Sequence, residues 1–180
     1  MKRLHASKLQ GLPPIARDDA RWLLLGSFPG VQSLAQRRYF AHPKNQFWRI
    51  LASVWSEHPL PDTYDARLAW LQDRKVALWD VYARCFRDGS LDRAIEAPEV
   101  NDLAGLCQRL PHLNGVLCNG VLAYRAARRI FQDEALRIIL LPSSSPAHAA
   151  RSFEEKCALW TAALRSELKS RSCAPTSHPV

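Results

Sequence analysis

The sequence lacks any apolar run of the roughly 18 residues that a membrane-spanning helix needs. Residues 1–10 are basic and contain no apolar stretch of the kind that forms the centre of a signal peptide. The usual signals for membrane insertion and secretion are therefore missing. We expect a cytoplasmic protein that makes no contact with a membrane.

The sequence also lacks the cysteine patterns of metal sites and disulfide frameworks. None of its five cysteines forms a CxxC pair, and their spacing matches no zinc or iron–sulfur signature. An odd number of cysteines in a cytoplasmic protein argues against a disulfide framework as well. We therefore expect no metal and no other cofactor.

Acidic residues are scarce relative to basic ones. Asp and Glu number 17 against 25 Lys and Arg, which gives a formal net charge of +8. An excess of this size fits a polyanionic partner such as nucleic acid, because each neutralised phosphate releases counterions. The composition is equally compatible with a charge that only keeps the protein soluble.

Hydrophobic residues make up 47% of the 180 residues, which is enough for one globular domain with its own core. The sequence contains neither internal repeats nor a linker-like segment. Its apolar periodicity ends near residue 170. We predict a single domain over residues 1–170 and a disordered tail over residues 171–180.

Four short apolar runs predict the strands of an α/β fold. Helical spacing of apolar residues separates the runs, which is typical of a parallel sheet with helices on both faces. We predict a three-layer α/β/α architecture with a short, mainly parallel, four-stranded central sheet, and irregular structure over residues 1–21 and 84–98. The predicted strands are residues 22–25, 76–79, 115–118 and 137–141, and the predicted helices are residues 45–55, 64–73, 102–110, 121–130 and 152–168.

The segments that follow the four strands are rich in glycine, proline and polar residues. They comprise residues 26–30, 80–82, 119–120 and 142–146. In a parallel sheet these segments lie along one edge, and ligands bind beyond the carboxyl ends of the strands. The sequence therefore predicts one functional site at this edge.

Three segments carry a resemblance to a known family. They are GSFPG at residues 26–30, FAHPKNQFW at residues 40–48 and LPSSSPA at residues 141–147. In this order, each beside a predicted strand or helix, they resemble motifs of the uracil-DNA glycosylase superfamily. GSLD at residues 89–92 is similar to the hypoxanthine branch of that superfamily, and the likeness extends from about residue 22 to about residue 160.

The first motif departs from the mismatch-specific uracil branch. That branch has an asparagine inside the motif to position water, whereas Ser27 and Phe28 stand here. The hypoxanthine branch lacks this asparagine too and assigns catalysis to the asparagine of a His-Pro-x-Asn segment, which corresponds to Asn45. The resemblance therefore favours the hypoxanthine branch.

This resemblance implies a monofunctional DNA glycosylase of base excision repair. Such an enzyme flips deoxyinosine out of the DNA and hydrolyses its N-glycosidic bond with water, without a cofactor. The implied partner is double-stranded DNA that carries a deaminated base, with single-stranded DNA as a further candidate, and the implied enzyme is a monomer. No lysine stands where a Schiff-base lyase would need one.

The resemblance also implies a pocket for the flipped base. Phe28 would stack on the base, or alternatively belong to the core at the sheet edge. The backbone amides of Ser27 and Phe28 would donate to a base carbonyl. Asp80 would accept the N1–H of hypoxanthine, or alternatively cap a turn at the end of its strand. The predicted base-binding residues are Gly26, Ser27, Phe28, Pro29, His42 and Asp80.

Asn45 carries the predicted catalytic role, in which its side-chain oxygen holds a water near C1′. Its position at the start of an amphipathic stretch favours a different role, that of a helix N-cap. His42 would polarise the water or contact a phosphate, and its alternative is an ordinary loop histidine.

The hydroxyl-rich segment after the fourth strand is predicted to hold the DNA backbone. Hydroxyls and loop amides contact phosphates without reading the sequence, and a helix that begins after Asn119 would offer its N-terminus to another phosphate. The alternatives are an ordinary polar loop and a structural turn. The predicted DNA-binding residues are Ser143, Ser144, Ser145, Pro146, His148, Arg151 and Asn119.

Other functions remain as alternatives. One is a mismatch-specific uracil glycosylase, which uses the same chemistry on another base. A second is a non-catalytic binder of damaged or single-stranded DNA. A serine hydrolase is disfavoured, because the sequence contains no GxSxG motif.

Overall fold

The computed structural model describes residues 7–131 and 136–165. Its strands form two sheets, one with four strands and one with three. The strands are β1 (Leu9–Gln10), β2 (Trp22–Gly26), β3 (Val76–Asp80), β4 (Tyr82–Phe86), β5 (Glu96–Val100), β6 (Gly115–Asn119) and β7 (Arg137–Leu141). The α-helices are α1 (Val31–Gln36), α2 (Phe47–Val54), α3 (Tyr64–Asp73), α4 (Leu103–Gln108), α5 (Val121–Ile130) and α6 (Phe153–Arg165).

The four-stranded sheet is parallel throughout and has the order β3-β2-β6-β7. Every residue of β2 and β3 is buried. Because successive side chains of a strand point to opposite faces, full burial means that both faces of the sheet are covered. The predicted three-layer α/β/α fold with a four-stranded central sheet is confirmed.

Several predicted boundaries agree with the structure. The strand at Arg137–Leu141 and the helix at Tyr64–Asp73 have the predicted bounds. The last helix begins with the expected capping box: the amide of Ser152 donates to Glu155 Oε2 at 2.7 Å, and the amide of Glu155 donates to Ser152 Oγ at 3.2 Å. The predicted end of this helix near residue 168 and the predicted tail at 171–180 lie outside the described residues.

The prediction of irregular structure over residues 1–21 and 84–98 is wrong in part. β1, β4 and β5 form an antiparallel sheet of the order β1-β4-β5. All five residues of β5 are exposed, the strand contains Pro98, and its register against β4 shifts twice. The strand therefore has no alternation of apolar and polar residues, and it is this alternation that identifies a strand in a sequence.

An aromatic cluster fixes the segment before α2 against the last helix. The ring of Phe40 stacks on Phe47 with centroids 3.7 Å apart, and Phe47 meets Trp160 edge-on at 5.9 Å. Trp160 is fully buried, and its indole N–H donates to the carbonyl of Pro142 at 3.0 Å. The cluster thus connects α2, α6 and the segment after β7.

Within the described ranges, no helix combines the length and the apolar character that crossing a lipid bilayer requires.

The turn between β6 and α5 depends on a glycine. Gly120 has a φ of 104°, and a Cβ at this position would lie 3.3 Å from the Cβ of Ser143. We expect a Gly120→Ala variant to lose about 1–3 kcal/mol of unfolding free energy, as measured by urea titration. Val121→Ala, at a side chain that is 49% exposed, should change the same quantity by less than about 0.5 kcal/mol. Equal stability of the Gly120→Ala variant and the wild type would contradict this account.

Candidate active site

A cleft of about 1310 Å³ lies at the carboxyl edge of the parallel sheet. The segments that follow β2, β3, β6 and β7 form its walls, as expected for a parallel α/β sheet. All the site residues predicted from the sequence line this cleft, and they come from positions more than 100 residues apart in the chain. They are Gly26, Ser27, Phe28, Pro29, His42, Asn45, Asp80, Asn119, Ser143, Ser144, Ser145, Pro146, His148 and Arg151.

The segment at residues 26–30, which we call the first turn, is packed against Asp80. A Cβ at Gly26 would collide with Asp80 Oδ1, so any other residue here would force the Asp80 carboxyl group to move. The hydroxyl of Ser27 donates to Asp92 Oδ1 at 2.5 Å. The backbone amides of Ser27 and Phe28 donate to no other described residue, so they remain able to donate to a ligand in the cleft.

The ring of Phe28 is buried, with 5% exposure, but lies outside the main core cluster. The guanidinium carbon of Arg87 lies 4.9 Å from the ring centroid, and Cε2 of the ring lies 3.3 Å from where a Cβ on Gly11 would stand. Arg87 also donates to the carbonyls of Phe28 and Pro29. Arg87 therefore covers part of the ring, and Phe28 also lines the cleft.

Asp80 is buried, with 3% exposure, and its Oδ2 has no hydrogen-bond partner among the described residues. Burial, reinforced by the charge of Asp92 and opposed by that of Arg87, raises the pKa of Asp80 to about 7. Its carboxyl group thus caps no turn, in contrast to the alternative considered from the sequence. A buried acceptor without a partner is costly and suits a ligand that brings a donor.

Asn45 accepts the amide of Phe47 on its Oδ1 at 2.9 Å, at the start of α2. The predicted N-cap position is off by one residue, because Gln46 is the N-cap of α2. Asn45 nevertheless caps the first amide of the helix from the preceding position, and it also lines the cleft. A carboxamide oxygen has two lone pairs, so this hydrogen bond leaves one for a second donor. The capping bond fixes the direction in which that lone pair points.

His42 lies on the same loop and is exposed. Its Nδ1 accepts the amide of Lys44 at 3.1 Å. In the neutral ring the proton is then on Nε2, which makes Nε2 the donor available to water or a phosphate oxygen.

Residues 142–148, which we call the serine loop, are held by Asn119. Asn119 Nδ2 donates to Ser144 Oγ at 2.9 Å, and the amide of Ser144 donates to Asn119 Oδ1 at 2.8 Å. Ser144 is completely buried. The predicted contact of the Ser144 hydroxyl with DNA does not fit this geometry, because the side chain is buried and holds the loop, whereas a phosphate at the helix N-terminus after Asn119 stays a prediction.

Ser143 and Ser145 are half-buried at the cleft. Their hydroxyl oxygens accept the amides of Ser145 and Ala147, at 3.2 and 3.3 Å. Each hydroxyl retains its own proton, which it can donate to a phosphate oxygen.

The sequence analysis did not identify the arginines of the cleft as site residues, apart from Arg151. Arg125 and Arg129 stand four residues apart on α5 and both line the cleft, as does Arg93. Runs of arginine on a helix usually form a solvated face, so only the fold shows which of them border the site. Among the described residues no three His, Cys, Asp or Glu side chains are grouped as metal ligands.

Comparison with known proteins gives concordant results. A family model described as the uracil DNA glycosylase superfamily matches residues 13–168. A hypoxanthine DNA glycosylase of Methanosarcina barkeri is 39% identical over 113 residues, which are 63% of this chain and 72% of the relative. A hypoxanthine DNA glycosylase of Methanosarcina acetivorans is 31% identical over 139 residues, which are 77% of this chain and 87% of the relative.

Among solved structures, the solution NMR structure of a Methanosarcina acetivorans protein, provisionally assigned as a uracil DNA glycosylase, is similar with a TM-score of 0.78. The two sequences are 30% identical, and the match covers 89% of this chain and 98% of the other.

The burial of Asp80 predicts an unusual dependence of stability on pH. Its pKa is raised from 3.8 to about 7, so between about pH 4 and pH 7 the folded state binds more protons than the unfolded state. Stability should therefore fall as pH rises through this window. We expect Asp80→Asn to stabilise the protein by on the order of 3 kcal/mol near pH 8 and by much less near pH 4, as measured by thermal melting.

Asp62→Asn, at an exposed aspartate, is the matched control and should leave the melting temperature nearly unchanged at both pH values. A melting temperature of the Asp80→Asn variant below that of the wild type near pH 8 would show that the Asp80 carboxylate is a stabilising group.

Proposed function

The chain belongs to the uracil DNA glycosylase superfamily and is a DNA glycosylase, and we propose that it hydrolyses the N-glycosidic bond of deoxyinosine in DNA to release hypoxanthine. Two relatives that carry the name hypoxanthine DNA glycosylase support this choice of base. The product is an abasic site, the first intermediate of base excision repair. The enzyme is a monomer with a single domain, residues 1–170, and it uses no cofactor.

The observation that carries the proposal is the buried carboxyl group of Asp80 at the cleft. The Watson–Crick edge of hypoxanthine presents N1–H, a donor that the carboxylate of Asp80 would accept. Adenine presents a lone pair at the same position, and two acceptors facing each other in a buried site repel. Asp80 would thus distinguish the deaminated base from the normal one.

The first turn supplies the remaining contacts to the base. The base would stack against Phe28, which lines the cleft. The amides of Ser27 and Phe28 are available for a base carbonyl, and donors there stabilise the negative charge that the leaving base acquires. Since a duplex hides these atoms, the nucleotide must be flipped out of the helix to reach them.

The water-positioning role belongs to Asn45. Its Oδ1 is oriented by the amide of Phe47 and has a second lone pair for a water near C1′. The capping contact also favours the second candidate function, a non-catalytic binder of damaged DNA, in which Asn45 serves the helix alone.

The contacts to the DNA backbone come from the serine loop and from arginines. The hydroxyls of Ser143 and Ser145 and the side chains of His148 and Arg151 lie at the cleft. They would hold the phosphates on either side of the flipped nucleotide. The excess of positive charge supports the same surface through counterion release.

The proposal predicts base release without metal. Purified protein in EDTA should convert a duplex oligonucleotide with one deoxyinosine into an alkali-labile abasic product. Matched duplexes with uracil, xanthine or a thymine mismatch should react at least about tenfold more slowly, because a pocket that fits hypoxanthine would hold a smaller pyrimidine, or xanthine with its additional carbonyl, less well. Faster release of uracil would assign the chain to uracil repair, and binding without release of any base would support the non-catalytic binder.

The role of Asn45 is tested by separating its two functions. Asn45→Ser keeps a side-chain oxygen that can cap α2 but removes the longer carboxamide, and Asn45→Ala removes both. We expect both variants to release hypoxanthine about 100-fold or more slowly in single-turnover assays. Only the Asn45→Ala variant should lose stability, by about 1 kcal/mol in urea titration. Wild-type rates in the Asn45→Ser variant would leave Asn45 with the capping role alone.

A further inference from the structure

Lys156 is a lysine on α6 that is almost completely buried, with 2% exposure. Its ammonium group donates to Gln46 Oε1 at 2.8 Å and to the carbonyl of His148 at 2.9 Å. The first acceptor is adjacent to Asn45 in sequence, and the second belongs to the serine loop. One side chain thus connects two walls of the cleft that lie about 100 residues apart in the chain.

Both acceptors of Lys156 are neutral. Within residues 7–131 and 136–165, desolvation by burial lowers the pKa of Lys156 and no carboxylate counteracts it. A buried ammonium without a counter-ion is unfavourable, and an apolar side chain of similar length would fill the same space more easily. Packing alone therefore does not account for a lysine here.

The contacts of Lys156 add to a second connection between the same two walls. The amide of Gln46 donates to the carbonyl of Ser144 at 3.0 Å, which joins the two walls. Within the first wall, the amide of Asn45 donates to the carbonyl of His42 at 2.8 Å. The aromatic cluster of Phe40, Phe47 and Trp160 holds the same segments from the core side. Lys156 adds a polar attachment at the residues next to the cleft itself.

We propose that Lys156 is a positioning residue that fixes Asn45 relative to the serine loop. The inference rests on the proposed function, in which Asn45 holds the water and the serine loop holds the phosphates. The distance between water and sugar carbon then depends on the distance between these two walls. A misplacement of about 1 Å at this point is enough to slow a reaction by orders of magnitude.

The test uses paired substitutions at the two ends of the contact. Lys156→Met keeps the length of the side chain and removes the ammonium, and Gln46→Met removes its acceptor. We expect each variant to lower the single-turnover rate on a deoxyinosine duplex by about tenfold or more, with duplex affinity changed by less than about threefold. The double variant should be no slower than the slower single variant, because both changes remove one contact.

Two further variants separate positioning from stability. Gln46→Glu places a carboxylate opposite the ammonium and should keep the rate within about threefold of the wild type. Lys75→Met is the matched control, because Lys75 immediately precedes β3 at the opposite end of the sheet and pairs with Asp19. All rates are compared well below each melting temperature, so that loss of folded protein does not contribute.

Amide hydrogen exchange tests the positioning role of Lys156 independently of enzymatic activity. In the Lys156→Met and Gln46→Met variants, the amides of Gln46 and His148 should exchange about tenfold faster than in the wild type, and in the Lys75→Met variant at the wild-type rate. Unchanged exchange of these amides would overturn the inference, as would single-turnover losses that multiply in the double variant. If the wild type released no base, the proposed function would be wrong. The exchange rates would still show whether Lys156 holds the two segments together.

Discussion

Two hydrogen bonds between Asn119 and Ser144 join the carboxyl ends of β6 and β7, and the shape of the cleft depends on them. They turn one serine of the loop inward, so that its neighbours Ser143 and Ser145 face the cleft. The carbonyl of Ser144 then accepts the amide of Gln46, which brings the segment with Asn45 to the same edge. Lys156 attaches both segments to α6. The water and phosphate contacts that we propose would therefore depend on the same few hydrogen bonds.

Three of the described residues near this edge are buried aspartate, arginine or lysine side chains, and none of the three makes an ion pair within the described part of the chain. Asp80 has an oxygen without a partner, Arg87 donates to two carbonyls and has a buried Nε without one, and Lys156 donates only to neutral acceptors. Each arrangement lowers stability compared with an apolar side chain. Proteins retain such groups where function requires them, and their concentration around one cleft is itself an indication of an active site.

Much of the fold follows from local sequence signals. The apolar run at 137–141 and the capping box of Ser152 and Glu155 determine their elements within a few residues, so the sequence alone was sufficient there. β5 was missed because exposed residues and Pro98 remove the alternation that marks a strand. The place of the cleft was predicted because the strand ends meet at one edge, whereas the roles of its individual residues came from the resemblance and stay predictions. Arg87 and Lys156 were not, since their acceptors lie 58 and 110 residues away and no local pattern encodes such contacts. Nor does a run of three serines indicate that the middle one is buried.

The position of Gly11 affects how this domain should be delimited. β1 pairs with β4. Gly11, which directly follows β1, lies against the edge of the Phe28 ring on which the base would stack. The family match begins only at residue 13. An expression boundary drawn from that match would retain every recognisable motif and still remove β1 and the glycine that lies beside the Phe28 ring. The folded unit therefore begins before its family signature does.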